Sequence, residues 1–138
     1  MGFSLVAAAA ALGVSTVIAM EILLGGLLPT IDDINTSYKE MNERMIEQAQ
    51  TDIDIMTVSR WLNGTVYDYN ITVENNGGIT LKTQDFHLLI NGTYYEHTCS
   101  RSYMYPENVA YFNITNVSAT QAQRVKIVTP NGITDYYS

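Results

Sequence analysis

The sequence is poor in the residues that cross-link a small domain or bind metal ions. Its 138 residues include one cysteine, Cys99, and two histidines, His87 and His97. A single cysteine excludes an internal disulfide bond, so we interpret Cys99 as a buried small side chain, with an intermolecular bridge as the alternative. The histidines form no short-spaced ligand pair, although Asp85 or Glu96 could complete a metal site with them. We expect two ordinary strand histidines and no cofactor.

Basic residues are also scarce. Seven Lys and Arg stand against fourteen Asp and Glu, which gives a net charge of −7 without any basic patch. Nucleic acid and anionic lipid head groups are therefore poor partners for this chain. Neither a glycine-rich phosphate loop nor a serine with a nearby base and acid is present in the sequence. These absences predict a protein without catalytic activity.

The chain does have one long apolar run near its amino terminus. Leu5 to Leu28 comprises twenty-four residues with a single charge, Glu21. A helix of that length spans roughly 36 Å, enough to cross a hydrocarbon core of about 30 Å. No basic residue precedes the run, unlike in a signal peptide. We therefore expect a retained membrane anchor over residues 1–30, with cleavage within Ala8–Ala11 as the alternative.

Two residues of the anchor are unusual for a spanning helix. Glu21 is expected either to reach the head groups or stay protonated there, or to contact a polar group of another membrane subunit. Pro29 is expected to interrupt the helix. A new helix would then begin near Asp32 and Asp33, capped by Asp33 or Asn35.

Residues 31–50 predict a helical stalk. Its apolar side chains recur at spacings of four, three and four, and we call them the apolar stripe: Ile34, Tyr38, Met41 and Met45. A stripe this narrow is typical of a coiled-coil seam, so we expect self-association or pairing with a related subunit. The alternative is a helix that lies on its own β-domain.

From Thr51 onward, apolar and polar residues alternate with a period of two. TDIDIMTV places Ile53, Ile55 and Thr57 on one face, and TVYDYNITVE, FHLLI, TYYEHTC, VAYFNIT, QRVKIV and ITDYY extend the pattern. Turn signals separate these segments: NNGG, Asn91-Gly92 and Pro130-Asn131-Gly132. Seven or eight short strands at this spacing predict an immunoglobulin-like antiparallel β-sandwich over residues 51–138.

Asparagine is concentrated in Asn-x-Ser/Thr tripeptides. Six of the eleven asparagines begin one: Asn35, Asn63, Asn70, Asn91, Asn113 and Asn116. Such tripeptides accept N-linked glycans at the surface of exported proteins, although a threonine-rich β-domain also forms them by composition. They favour a single-pass topology with the carboxy-terminal domain outside the cell.

Four tyrosines are candidates for contact with a partner: Tyr94, Tyr95, Tyr103 and Tyr105. Large amphipathic tyrosine side chains provide contact area at a small cost in conformational entropy. Tyrosine is also a good strand residue, so about half of these rings could instead fill the core of the sandwich.

Several segments together resemble one known family. They are the start MGFS with an uncharged apolar run, and then NERMIEQAQTDIDI, ENNGGITL, LLINGTYY and RVKIVTPNGI. In this order and spacing they resemble the FlaF family of archaellum (archaeal flagellum) proteins over essentially the whole chain. The density of Asn-x-Ser/Thr tripeptides and the presence of Cys99 depart from the family pattern.

The resemblance implies one transmembrane helix in the archaeal cytoplasmic membrane and a sandwich outside the cell. It further implies an archaellum stator subunit that binds the surface (S-) layer protein and works with other archaellum subunits such as FlaG-like proteins. Two other functions stay open: a pilin-like subunit or cap of a surface filament, and a carbohydrate-binding surface module.

Overall fold

The computed structural model describes residues 1–118 and 124–138. It divides the chain into two compact units, Met1–Glu43 and Arg44–Ser138. The first unit is entirely helical, whereas the second contains the end of the last helix and all of the described strands. The expected strand QRVKIV begins at Gln123, which lies outside the described residues.

The helical part has three consecutive segments. Helix α1 covers Gly2–Ile22, a π-helical segment covers Leu23–Leu27, and helix α2 covers Leu28–Ala49. None of these segments has a buried residue. Within the part of the chain that the structure describes, one helix is long and apolar enough to cross a membrane, and it begins at Gly2. The predicted long apolar helix is thus confirmed.

The expected break at Pro29 is wrong, because α2 contains Pro29 and continues past it. Proline lacks an N–H group, and its ring collides with the carbonyl four residues earlier, here that of Gly25. The wider π-helical turn just before Pro29, in which the Leu28 N–H bonds the Leu23 carbonyl, relieves this collision. The Thr30 hydroxyl donates to the Gly26 carbonyl at 2.8 Å. Asp33 and Asn35 consequently lie inside a helix and cap nothing.

Within the described residues, ten strands follow in chain order: β1 (Ile53–Asn63), β2 (Val66–Asn75), β3 (Leu81–Lys82), β4 (His87–Ile90), β5 (Thr93–Tyr95), β6 (Thr98–Cys99), β7 (Tyr103–Met104), β8 (Val109–Val117), β9 (Val125–Val128) and β10 (Thr134–Tyr137). The first sheet has the order β1-β2-β8-β6 and the second the order β10-β9-β4-β5. A short ribbon, β3-β7, completes the arrangement. All described pairings are antiparallel, which confirms the predicted β-sandwich.

The core consists of apolar side chains that both sheets and the ribbon contribute. Its members are less than a tenth exposed: Ile53, Ile55, Tyr69, Ile71, Val73, Leu81, Phe86, Leu88, Ile90, Met104, Ala110, Phe112, Ile114, Val117, Val125 and Ile127. Burying a side chain of this size contributes roughly 1.5–3 kcal/mol. The alternation predicted for Tyr69, Ile71 and Val73 is confirmed, since these three are buried on β2.

The alternation fails at two places: between Tyr67 and Tyr69, where the register against β8 shifts and Asp68 is buried beside Tyr69, and in the middle of β1. The register against β2 shifts between Ile55 and Thr57, so Met56 is an inserted bulge residue. Beyond the bulge, Val58 pairs with the buried Ile71, whereas Thr57 pairs with Thr72 on the outer face. The expectation that Thr57 shares a face with Ile53 is therefore wrong. One extra residue in a strand exchanges the faces of everything after it.

Candidate functional site

The anchor segment presents apolar side chains without any partner in the chain. Phe3, Leu5 and Leu12 are each more than two thirds exposed. Glu21 lies in the last turn of α1, directly before the π-helical segment. An exposed apolar helix of this kind is suited to lipid or to the helices of other subunits.

The apolar stripe is exposed along its whole length. The exposed fractions of its four members, Ile34, Tyr38, Met41 and Met45, lie between 52% and 64%. Three members of the stripe line a shallow groove on the helix surface. The groove is formed by Ile34, Tyr38 and Met41 together with Thr30, Asp33 and Ser37. The stripe is thus available for contact with a second helix, as a coiled-coil seam requires.

The end of α2 is attached to the sandwich by a set of hydrogen bonds, and we call this region the junction. Gln48 donates to the Asn131 carbonyl at 2.9 Å, and Asn131 donates to the Thr51 hydroxyl at 2.8 Å. The Thr51 hydroxyl in turn donates to the Glu47 carbonyl at 2.7 Å. The β9–β10 turn therefore holds the last helical turn and the first residue after it.

A second turn closes on the junction from the end of β2. The N–H groups of Asn76 and Gly77 both donate to the Asp52 carbonyl at 3.0 Å. The Gly78 N–H donates to the Gln50 carbonyl at 2.8 Å. A Cβ atom on Gly77 would collide with the Gln50 carbonyl oxygen and the Asp52 backbone nitrogen, so only glycine fits there. The sequence indicated turns at NNGG and Pro130-Asn131-Gly132, but it held no signal that both turns meet the helix end.

The candidate tyrosines lie on two different strands, β5 and β7, or directly beside them. Tyr103 and Tyr105 are about half exposed and lie near the junction, because Asn75 at the end of β2 donates to the Met104 carbonyl at 3.1 Å. Tyr94 is 52% exposed on β5, next to the turn after β4. Tyr95 is half-buried and packs against the core. Tyr94 also lines a cavity with His97, Arg101 and Ser102, and Ser102 directly precedes Tyr103 in the chain.

Three Asn-x-Ser/Thr tripeptides lie at the end of the sandwich opposite the junction. We call this end the distal end. Asn63 begins the β1–β2 turn, Asn91 begins the β4–β5 turn and Asn116 stands near the end of β8. Asn70 and Asn113 pair in mid-strand between β2 and β8. Asn35 lies in α2. Five of the six tripeptides are thus on the sandwich, and three of these are at one end.

The two histidines have different surroundings. The His87 ring meets Tyr94 edge-on at 5.7 Å. His97 packs against Phe112 at 5.3 Å, and its Nε2 lies 3.0 Å from the Thr83 carbonyl oxygen, to which it donates. Cys99 is a half-buried free thiol. No group of three or more metal-binding side chains occurs in the described ranges 1–118 and 124–138.

The free edge of the first sheet is a surface that the sequence did not indicate. Among residues 1–118 and 124–138, strand β1 pairs with β2 alone, on one side. Near the junction its other side is covered, since the Ile55 N–H donates to the Asp135 carboxylate at 2.7 Å. Beyond the bulge, Trp61 and Leu62 are 49% and 62% exposed. The sequence held one weak sign of this exposure: Trp61 and Leu62 are adjacent apolar residues directly before a turn.

One lysine–tyrosine pair lies on the outer face of the second sheet. Lys126 on β9 stands opposite Tyr136 on β10, with its Nζ 5.2 Å from the ring centre. A hydrogen bond from Lys126, helped by one from Thr134 and by the positive charge of Lys126, lowers the pKa of Tyr136. Lys126 thus favours a phenolate at this exposed position.

Comparison with known proteins gives three results. No curated protein is significantly similar to the chain in sequence. Among solved structures, the chain is similar to the archaellum periplasmic stator protein FlaG from Sulfolobus acidocaldarius, at 19% identity and a TM-score of 0.49 over 63% of this chain and 97% of that chain. The family model of the archaeal-type flagellins matches residues 2–138. Since that match covers nearly the whole chain, the protein belongs to the archaeal-type flagellin family.

Proposed function

We propose that this protein is a non-enzymatic accessory subunit of the archaellum, of the FlaF stator type. The observation that carries the proposal is the pairing of an apolar helix without any buried residue with a sandwich that has its own core. Membership of the archaeal-type flagellin family supplies the assembly in which such a part works. The helix would anchor the chain in the cytoplasmic membrane, and the sandwich would act outside it.

A stator must be held at two points, in the membrane and in something stiff outside. The anchor supplies the first point. The second would be the S-layer protein, bound by the sandwich so that motor torque turns the filament and not the motor. The acidic composition, with a net charge of −7, supports a protein partner rather than phosphate or another polyanion.

Exposed tyrosines are the proposed contacts with the S-layer protein. Tyr103 and Tyr105 form one patch near the junction, while Tyr94 belongs to another on β5. Because Tyr95 is half-buried, it would support the second patch rather than contact the partner through its whole ring. Binding to the S-layer protein can be compared for two variants, one with Tyr103 and Tyr105 replaced by alanine and one with Tyr94 replaced by alanine. The variant that loses binding identifies the patch that makes the contact.

One transmembrane helix resists torque poorly, so we propose that several copies associate through the apolar stripe. The exposure of Ile34, Tyr38, Met41 and Met45 supports a seam between parallel helices. The neighbour would be a second copy or a FlaG-like subunit. Glu21 would contact a polar group of that neighbour within the membrane, which offsets the cost of a carboxylate there.

Family membership also favours a second function, that of a filament subunit or cap. A flagellin-like subunit packs its apolar helix against many copies after leaving the membrane, and the exposed helix of this chain would suit that role too. Fractionation of cells separates the two functions. We expect the intact chain, with Phe3 to Leu28 retained, in the cell envelope and captured with the S-layer protein. Recovery in sheared filaments, or a mature chain that begins after Ala11, would contradict the stator function.

A further inference from the structure

The tripeptides that begin at the asparagines of the sandwich differ in one structural respect, the burial of the middle residue. In Asn63-Gly64-Thr65 and Asn91-Gly92-Thr93 all three residues are exposed. In the other three the middle residue belongs to the core: Ile71, Ile114 and Val117 are at most 1% exposed. Asn35 lies on a helix in the other unit and is not included.

Backbone geometry separates the two Asn-Gly-Thr tripeptides from those of Asn70 and Asn113, whereas Asn116, at a φ of +62°, differs from them only by the buried Val117 that follows it. Both Asn-Gly-Thr tripeptides lie in tight hairpin turns, where Gly64 and Gly92 have φ values of +68° and +83°. Asn70 and Asn113 instead face each other across two strands, and the Asn70 amide donates to the Asn113 side-chain oxygen at 2.7 Å. An enzyme that binds a tripeptide must surround its backbone. A projecting turn permits this, but a strand whose middle residue fills the core does not.

The two projecting turns lie at the same end of the sandwich. In the second sheet, β4 ends at Ile90, which pairs with Val125, and the turn at Asn91 follows. The first sheet ends at the pair Asn63 and Val66. The start of β1 and the β9–β10 turn meet at the junction, where Asn131 donates to Thr51, so the opposite ends of the two sheets lie on one side of the sandwich. Both turns therefore belong to the distal end.

We propose that Asn63 and Asn91 are N-glycosylated, whereas Asn70, Asn113 and Asn116 are not. This rests on the proposed function only in that the sandwich must be outside the cell. The donor would be an oligosaccharide linked to a lipid phosphate. The asparagine Nδ2 bonds the anomeric carbon, the bond from that carbon to the phosphate oxygen breaks, and the lipid phosphate leaves with the electron pair. One amide proton passes to a base.

Each site keeps its native contacts after the transfer. Asn63 Nδ2 donates to the buried Asp68 carboxylate at 2.8 Å, and a glycosylated amide retains one N–H for this bond. The Asn91 side-chain oxygen accepts from the Arg124 N–H at 3.0 Å, a bond in which Nδ2 has no part. Glycans at the two turns would crowd the distal end, beside Tyr94. They would leave Tyr103 and Tyr105, near the junction, uncovered.

The test is glycopeptide mapping and intact mass of the full-length chain, produced in its own cells or in a related archaeal host that makes N-glycans. We expect glycans at both turns. The exchanges Thr65→Ala and Thr93→Ala should each remove one glycan while keeping the asparagine. Thr115→Ala, which destroys the tripeptide of Asn113 at an equally exposed threonine, is the matched control and should change nothing but the mass of its own side chain.

A glycan at Asn70, Asn113 or Asn116, or an unmodified Asn63 or Asn91, overturns the proposal. Protease added to intact cells distinguishes the cause. If protease cuts the sandwich and the turns are unmodified, the domain is outside and the glycan assignment alone is wrong. If the sandwich is protected in intact cells but cut after lysis, the external placement is wrong, and the proposed function fails with it.

Discussion

The two units of this chain are stabilised in opposite ways. In the unit Arg44–Ser138 the described residues include sixteen apolar side chains enclosed in a core, whereas the segment Gly2–Ile22 has no buried residue although its composition is strongly apolar. Burial of apolar surface is the main favourable term in folding. The sandwich therefore carries its own stability, while the helix depends on what surrounds it, which we infer to be lipid and neighbouring helices.

The largest expected effect tests whether the sandwich is stable through its own core. Phe112 is fully buried and its ring lies 5.2 Å from that of Phe86, so Phe112→Ala should lower the free energy of unfolding by about 3–5 kcal/mol. Tyr111→Ala is the matched control on the same strand, since Tyr111 is 48% exposed. It should cost less than about 1 kcal/mol. Chemical denaturation of residues 44–138 measures both, and equal losses would contradict the assigned core.

The second prediction concerns the junction between the helix end and the sandwich. In Gly77→Ala the new methyl group meets backbone atoms of Gln50 and Asp52, and we expect a loss of about 1–3 kcal/mol. Gly78→Ala is the control, because nothing lies within 4 Å of its added Cβ atom. That change should be neutral or stabilise by up to about 1 kcal/mol. Thermal unfolding of the two variants side by side decides, and a neutral Gly77→Ala would show that the turn does not hold the helix end.

The core and the junction differ in how much of their structure could be predicted from the sequence. The strand positions of Ile71 and Val73 follow from local alternation, because a half-buried strand needs an apolar side chain at every second residue. The turn at Asn91-Gly92 follows from residues that tolerate positive φ, and the structure has them at +51° and +83°. Contacts such as Gln48 with Asn131 join residues far apart in the chain, so no local pattern reports them.

The sequence also misled at two places, for physical reasons. Pro29 usually ends a helix, but a π-helical turn at Leu23–Leu27 accommodates it at the cost of one irregular turn. Met56 is a bulge residue, and methionine is as common at a regular strand position as at a bulge, so the residue type gave no sign of the bulge. For the candidate contact residues, the sequence supplied types of side chain but not their positions. It therefore could not tell that Tyr95 is half-buried against the core while Tyr94, Tyr103 and Tyr105 are exposed.

The third prediction tests whether the helix needs a neighbour. Met41→Glu places a charge in the apolar stripe and should weaken self-association of the full-length chain in detergent by about tenfold or more, equivalent to 1.4 kcal/mol. Thr36→Glu adds the same charge on the opposite side of the helix and should leave association unchanged. Sedimentation equilibrium gives both constants. If the two variants associate equally well, the apolar stripe is not a seam.

The smallest expected effect concerns the surface of the sandwich. Lys126→Met should raise the pKa of Tyr136 back toward its usual value of 10.0, while Lys82→Met, at another exposed lysine, should not. Since the folded chain favours the phenolate, this pair's contribution to stability is fully present above pH 10.0 and is lost as the pH falls through the lowered pKa. Titration of labelled tyrosine by NMR measures the shift. An unchanged pKa in Lys126→Met would remove Lys126 as its cause.

The proposed stator function requires that the unit with its own core, the sandwich, be the one that binds the surface layer. The direct measurement is co-sedimentation of residues 44–138 with isolated S-layer sheets over a range of salt and pH, with folding verified by circular dichroism. We predict enrichment of the folded domain in the pellet, lost when Tyr103 and Tyr105, or Tyr94, are replaced by alanine. A folded domain that stays in the supernatant under every condition would contradict the stator function and favour the filament subunit.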